Sequence, residues 1–404
     1  MIKQVSLSEV YWFQEGPGVR NWQFKDSGIK LLNVANITKQ GKIDLDKTDR
    51  HLAKEEVDSK YAHFLIDEGD LVIASSGITN DDDNLLRTKI AFIEKHHLPL
   101  CLNTSTIRFK SKEGVSDLRF LKHWLNSLEF RQQITKEVTG IAQKNFGPSH
   151  LKKIKISLPP LAEQRRIASI LDQADELRQK RQQAIEKLDQ LLQATFIDMF
   201  GDPVSNPKGW EIFKSKALFQ DPPRIGTTTP ANGEGIPVVR VGELGQFYID
   251  FEKCGRVQIS ESDFKKYELK NGDLVLARAI GSKNQLGKCS YFSEYFEPVC
   301  IDSHVMRLRP DSEKMHPLWF YFLLSSDQGK KILQSKGGAT AVQFNINSAQ
   351  ANDLDIALPP LSEQAKFVEI ANKILKNKDS HIKSLEKNNL LFSSLQNQAF
   401  NGTL

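Results

Sequence analysis

Between Glu163 and Phe200 the chain has neither glycine nor proline, and apolar or small residues return at a 3-4 spacing: Ile167, Ile170, Ala174, Leu177, Ala184, Leu188, Leu191 and Thr195. That period predicts an amphipathic helix. Leu171, Ile185, Leu192 and Met199 widen the stripe on one side. Pro159 and Pro160 stand where proline opens a helix without interrupting it, and Gly201-Asp202-Pro203 closes it. At 1.5 Å per residue the helix is ~57 Å long. A second stripe of the same phase runs through Phe367, Ile370, Ile374, Leu391 and Leu395, with Ala371, Leu385, Phe392 and Ala399 beside it. Its middle is polar, with Asn377, His381, Ser384 and Asn388 on the seam. A stripe held over about five heptads calls for a helical partner, and polar seam positions cost stability but fix register. The simplest partner for each helix is the other, antiparallel if a two-fold axis relates the halves. The alternative is two independent helices, each packed on its own domain.

Around these helices the pattern changes. Residues 1–157 and 202–357 carry short apolar runs bounded by turn residues, which predict strands: Lys30–Val34, Asp70–Ala74, Ile236–Val241 and Asp273–Ala277. Phe120–Ile134 and Pro317–Leu333 predict helices, with Trp124, Leu128, Trp319, Phe322 and Leu323 as core. The fold class is therefore α+β: two mixed α/β domains, residues 1–157 and 202–357, joined by a central long helix at 158–201 and a C-terminal one at 358–404.

The chain also repeats itself. Leu158-Pro159-Pro160-Leu161-Ala162-Glu163-Gln164 returns as Leu358-Pro359-Pro360-Leu361-Ser362-Glu363-Gln364, and downstream Glu186-Lys187, Leu191 and Phe200 return as Glu386-Lys387, Leu391 and Phe400. Upstream, Gly28-Ile29 then Val34 aligns with Gly235-Ile236 then Val241. Gly69-Asp70-Leu71-Val72 aligns with Gly272-Asp273-Leu274-Val275, and Leu102-Asn103 through Ile107-Arg108 aligns with Ile301-Asp302 through Met306-Arg307. Matches in one order at nearly one offset mean two copies of a domain-plus-helix unit. Two similar modules suit two similar targets, and DNA carries two-fold axes of its own.

Composition changes this picture only modestly. The net charge is +5 with a pI near 8.8, a mild lean toward an anionic partner. Cys101, Cys254, Cys289 and Cys300 form no CxxC pair, which speaks against a zinc ribbon or disulfide framework and for a reduced, cytoplasmic setting. No apolar run of about 18 residues exists, and the N-terminus lacks the apolar stretch of a signal peptide.

Candidate chemistry sits in polar, glycine-bearing stretches beside the central strands: 75–89 and 278–288, then 140–147 and 337–345. They supply Arg87, Lys89, Lys144, Asn145, Arg278, Lys283, Lys288, Thr340, Gln343 and Asn345, residue types that grip phosphates and read base edges. Catalytic patterns are missing. Asp221-Pro222-Pro223-Arg224 is a near miss to an adenine methyltransferase loop, with Arg224 where a stacking aromatic is needed, and reads as a chance turn. No Walker loop, HExxH or nuclease cluster occurs, and Asp81-Asp82-Asp83 reads as a solvated loop.

The doubled Leu-Pro-Pro-Leu-x-Glu-Gln block, Phe200-Gly201-Asp202-Pro203, and the closing Gln398-Ala399-Phe400-Asn401-Gly402-Thr403-Leu404 resemble the specificity subunits of type I restriction-modification systems, over essentially the whole chain. The resemblance implies two target-recognition domains on an antiparallel coiled coil. Each domain reads one half of a split double-stranded DNA target, and the helices set the unread spacer. It implies two modification subunits carrying S-adenosylmethionine, and motor-nuclease subunits using ATP and Mg, as partners. This chain would hold no cofactor, metal or catalytic residue and have no membrane attachment. Glu163, Gln164, Phe200, Glu363, Gln364 and Phe400 become candidates for docking those partners. A subunit of a methylation-only or other phage-defence system fits the same residues. A coiled-coil protein adaptor would share the helices but not the loop chemistry, and an enzyme built on Asp221 would itself bind S-adenosylmethionine.

Overall fold

A computed structural model of the chain describes residues 3–80, 84–138, 144–280, 287–336, 338–339 and 344–404. The chain forms two compact units, Met1–Arg181 with Lys383–Leu404, and Gln182–Ile382. Each unit thus holds one mixed domain and parts of both long helices.

In the first unit an antiparallel sheet has the strand order Tyr11–Glu15, Thr106–Ser111, Leu71–Ala74, Ile90–Phe92. A second sheet places Ile29–Leu32 between His51–Leu52 (antiparallel) and Leu100–Leu102 (parallel). Lys3–Ser6 pairs with Lys155–Leu158 just before the first proline block. The second unit repeats all of it. Its four strands are Phe219–Ile225, Val305–Pro310, Leu274–Ala277 and Cys289–Tyr291. Ile236–Val239 lies between Gly255–Val257 and Cys300–Ile301, and Glu211–Lys214 pairs with Asp355–Leu358. Leu71–Ala74 and Leu274–Ala277 are buried along their whole length, which is why they read as continuous apolar runs. The repeated Gly-Ile has a steric cause. Gly28 and Gly235 have φ of +129° and +86°, and a Cβ there would lie 2.1 and 2.2 Å from the carbonyl oxygens of Leu52 and Val257. Only glycine lets the central strand start so close to its neighbour.

Four expectations about the two domains need correction. Phe120–Ile134 is two helices, Leu118–Leu125 and Leu128–Glu137, and Pro317–Leu333 is Pro317–Ser325 and Asp327–Lys336. Serines make both breaks: Ser127 Oγ accepts from Phe130 N, and Ser326 Oγ from Gly329 N. The break rephases the second helix, so Leu128 is exposed, while Trp124, Trp319, Phe322 and Leu323 are core. Asp221-Pro222-Pro223 is no turn. It lies in the strand Phe219–Ile225, where register shifts absorb the prolines, and the Asp221 carboxylate accepts from Arg309 Nη1 at 2.6 Å.

The long helices are Leu161–Phe200 and Leu361–Asn401. Their seam is turned from the expected one. Ile167 and Phe367 are buried, but Leu177 and Leu191 are 43% and 49% exposed, and Ile370 faces solvent. The buried line is Ala168, Leu171, Ile185, Leu192, Phe196 and Phe200, with Phe367, Val368, Ala371 and Leu375 in the second helix. Within each unit the helix segments run antiparallel. Arg178 donates to Asn389 at 2.7 Å in the first, and Lys378 pairs with Asp189 in the second. These are the same contact, 200 residues apart. Of the expected polar seam, His381, Ser384 and Asn388 are half-buried and Asn377 is exposed; Lys378 is the buried polar residue.

All four cysteines are free, and no helix among the described residues is long and apolar enough to cross a membrane.

Candidate nucleic-acid interface

At one end of each four-stranded sheet, the polar stretches are tied together by backbone hydrogen bonds. In the first unit Ala74 N donates to Lys89 O at 2.9 Å, Ser75 N to Ser105 O at 2.9 Å, and Phe146 N to Ser75 O at 3.0 Å. In the second, Ala277 N donates to Lys288 O at 2.8 Å, Arg278 N to His304 O at 3.1 Å, and Ile346 N to Arg278 O at 2.9 Å. The two stretches read separately in the sequence thus form one knot per unit, joined by a third segment: the turn Asn103–Ser105 in one and Asp302–His304 in the other. These turns align between the two copies in the sequence, and Asn103 and Asp302, just before an inward strand, mark them.

The knot gathers Arg87, Lys89, Lys144 and Asn145 in the first unit. Arg87 and Asn145 are exposed. Lys144 bridges to Ile78, and Thr79–Asn80 pairs with Leu86–Arg87. Lys89 Nζ donates to Val34 O at 3.2 Å, so it is partly engaged. In the second unit Lys288 and Asn345 join the knot, and Ala279–Ile280 pairs with Phe344–Asn345. Arg278 is a structural clamp more than a free contact: it donates to Ser303 O at 2.8 Å, Ile346 O at 3.4 Å and Asn345 Oδ1 at 3.1 Å. With its oxygen so held, the Asn345 amide is oriented. Lys283, Thr340 and Gln343 lie outside the described residues, as do Asp81-Asp82-Asp83.

The proposed docking residues divide sharply. Glu163 and Glu363 sit on the helix surface, paired with Arg166 (2.7 Å) and Lys366 (2.7 Å). Gln164 and Gln364 are 0% exposed and turned inward, a correction to their docking role. Gln164 Oε1 accepts from Asp117 N at 3.0 Å, and its Nε2 donates to Pro159 O and Val115 O at 2.9 Å each. Gln364 repeats this with His316 N (2.7 Å) and Pro359 O (2.8 Å). The glutamine in the doubled block therefore locks each long helix to its domain by satisfying backbone groups that end buried. Phe200 is buried against Trp319 and Phe367, with ring centroids 5.9 and 5.6 Å away, so it too is core. Phe400 is half-buried and meets Phe120 edge-on at 5.5 Å. Gln364→Ala orphans the His316 N–H and the Pro359 carbonyl, so we expect a stability loss of about 1–3 kcal/mol. Urea unfolding of the purified chain checks this; an unchanged midpoint contradicts the lock.

A second buried device recurs. Arg108 donates to His63 O at 2.9 Å and to Leu65 O, and Arg307 donates to Glu268 O at 2.8 Å. Among the described residues no three His, Cys, Asp or Glu side chains converge in a way that could hold a metal ion.

Two copies of one mixed module, each with a knot of polar loops at one sheet end and each followed by a long helix, define an internally duplicated α+β protein. The sequence profile of the type I restriction modification DNA specificity domain matches residues 19–187 and again residues 207–390. The chain belongs to that family. The StySPI type I restriction enzyme specificity subunit of Salmonella potsdam is 27% identical over 306 residues, 70% of this chain and 65% of that protein. The chain thus spans just under two thirds of that relative's length. The EcoKI specificity subunit of Escherichia coli K12 is 24% identical over 406 residues, covering 94% of this chain and 83% of its own. The type I restriction-modification S subunit of M. genitalium shares the fold, with a TM-score of 0.55 at 14% identity, covering 98% of this chain and 96% of that one.

Proposed function

We propose that this chain is the DNA-recognition subunit of a type I restriction-modification enzyme, reading a split target with one half-site per module. The observation that carries the reading is the polar knot, built from the same three backbone hydrogen bonds at the same sheet end in both units. Side chains there offer donors to phosphates and base edges. The chain performs no catalysis. Adenine N6 methylation belongs to two modification subunits carrying S-adenosylmethionine, and ATP- and Mg-dependent cleavage to motor-nuclease subunits. Glu163 and Glu363, with exposed Leu177, Leu191, Leu390 and Leu391 on the long helices, suit partner docking. The antiparallel helices act as a coiled-coil ruler for the spacer, and the assembly works in the cytoplasm.

The test is methylome sequencing of a host lacking this activity, after co-expressing the chain with the modification subunit encoded beside it. A split adenine-methylation motif that vanishes when this chain is omitted is the expected result. A stable complex without any new motif contradicts the reading. In the same assay Asn345→Ala is expected to relax one base position in one half-site, by about 1–3 kcal/mol of discrimination. Equal weakening of both half-sites would argue against base reading by that residue.

A further inference from the structure

At the functional end of the first sheet Glu15 stands where the second sheet has an isoleucine. It closes the strand Tyr11–Glu15 opposite Ile107, as Ile225 closes Phe219–Ile225 opposite Met306. Ile107 and Met306 are themselves equivalent, since each faces the third residue of its central strand, Ile73 and Leu276. In the second unit Ile225 packs against the hydrophobic core. The first unit puts a carboxylate there. Side chains alternate along a strand, so Glu15 shares a face with Tyr11 and Phe13, whose ring packs against Phe109 at 5.5 Å.

This carboxylate is half-buried, and no hydrogen bond or ion pair from a described residue compensates it. Burial pushes its pKa up. Its oxygens lie 3.6 and 3.8 Å from where a Cβ of Gly147 would stand. Gly147 directly follows Lys144-Asn145-Phe146, and Phe146 is bonded to Ser75. Glu15 therefore sits in the polar knot, and Gly147 leaves it open on that side. A desolvated, uncompensated carboxylate costs stability where the sister module uses isoleucine. A DNA phosphate would repel it. The groups on DNA that suit it are exocyclic amines, cytosine N4 and adenine N6, which donate in the major groove.

We propose that Glu15 is a specificity-determining residue of the first module, accepting a hydrogen bond from the amino group of a cytosine or adenine in that module's half-site. The proposal rests on the DNA-recognition reading above. The complex of the full chain with its modification subunit is used to select from a randomised duplex library, as wild type, Glu15→Gln and Glu15→Ile. Glu15→Ile installs the residue that the second module already accommodates, so folding is retained. One position of one half-site is expected to lose its cytosine or adenine preference roughly tenfold in Glu15→Ile, while Glu15→Gln, whose amide both accepts and donates, is expected to favour adenine there. The other half-site is expected to stay as in wild type. Wild-type preferences kept at every position in both variants overturn the role of Glu15 alone. So does a uniform change in affinity across all sequences. A wild-type complex that selects no sequence overturns the recognition reading itself, and this proposal with it.

Discussion

Arg309→Met is expected to destabilise the second unit by about 3–5 kcal/mol, the usual consequence of stripping one partner from a buried ion pair. Arg309 holds Asp273 with two hydrogen bonds, Nε to Oδ1 at 2.7 Å and Nη2 to Oδ2 at 2.8 Å. The two side chains are 8% and 1% exposed. Without the guanidinium, Asp273 keeps only the donation from Lys270 N at 2.7 Å. Burial already raises the Asp273 pKa against the pull of Arg309, so losing that pull raises it further. A carboxyl whose folded pKa exceeds its unfolded value contributes stability at low pH, below the unfolded pKa. That contribution is lost as pH climbs through the folded pKa. The defect of Arg309→Met should therefore be largest near neutrality and shrink in acid. The double variant Arg309→Met, Asp273→Leu should recover part of the loss, because the buried Asp273 charge is removed with its partner, while the half-exposed Asp221 still loses its 2.6 Å contact with Arg309. Denaturant unfolding at two pH values reads all three. A single variant within about 1 kcal/mol of wild type at neutral pH would contradict the argument. The first module supplies the control. Lys110 occupies the matching place and is 39% exposed, and Asp70 there also has Arg108 at 3.3 Å. Lys110→Met should cost no more than about 1 kcal/mol.

The duplication was legible because its strongest marks are local. Gly28 and Gly235 are demanded by backbone approach, the proline blocks open helices, and the central strands are apolar throughout because both faces are covered. The seam of the long helices was not. Two adjacent lines on each helix satisfy a 3-4 spacing, and only tertiary contact selects between them. Phe196 and Phe200, packed with Trp319 and Phe367, draw the 192–196–200 line inward and leave Leu191 outside. The helix breaks at Ser127 and Ser326 were readable as capping serines but were overridden by the apolar period. The candidate site was half legible. The stretches 75–89 and 140–147, and their counterparts, were recognised by composition, but their convergence depends on strand order. The inward turn of Arg278 and of the two glutamines is set by backbone groups far away in sequence, the Ser303 and Ile346 carbonyls for Arg278 and the Asp117 and His316 N–H groups for the glutamines. Composition cannot distinguish an arginine that reads a base from one that props the loop that does.

The largest functional change is expected from lengthening both long helices together. The contacts Arg178–Asn389 and Asp189–Lys378 bracket the segments 178–189 and 378–389. Four residues inserted after Gln182 and four after Ile382 fall inside both brackets, so each polar pair keeps its partner and each domain keeps its glutamine lock. Four helical residues add ~6 Å and turn ~40° beyond a full revolution, so the buried line roughly resumes. On DNA ~6 Å is close to two base-pair steps of ~3.4 Å. If the helices are the ruler, the methylated motif should keep both half-sites and widen its spacer by about two base pairs. Insertion in one helix alone mismatches the brackets and should lower stability without yielding a new motif. Methylome sequencing of hosts carrying each variant with its modification subunit separates the outcomes. Intact half-sites at the original spacing, from the doubly lengthened chain, would show that the spacer is set elsewhere.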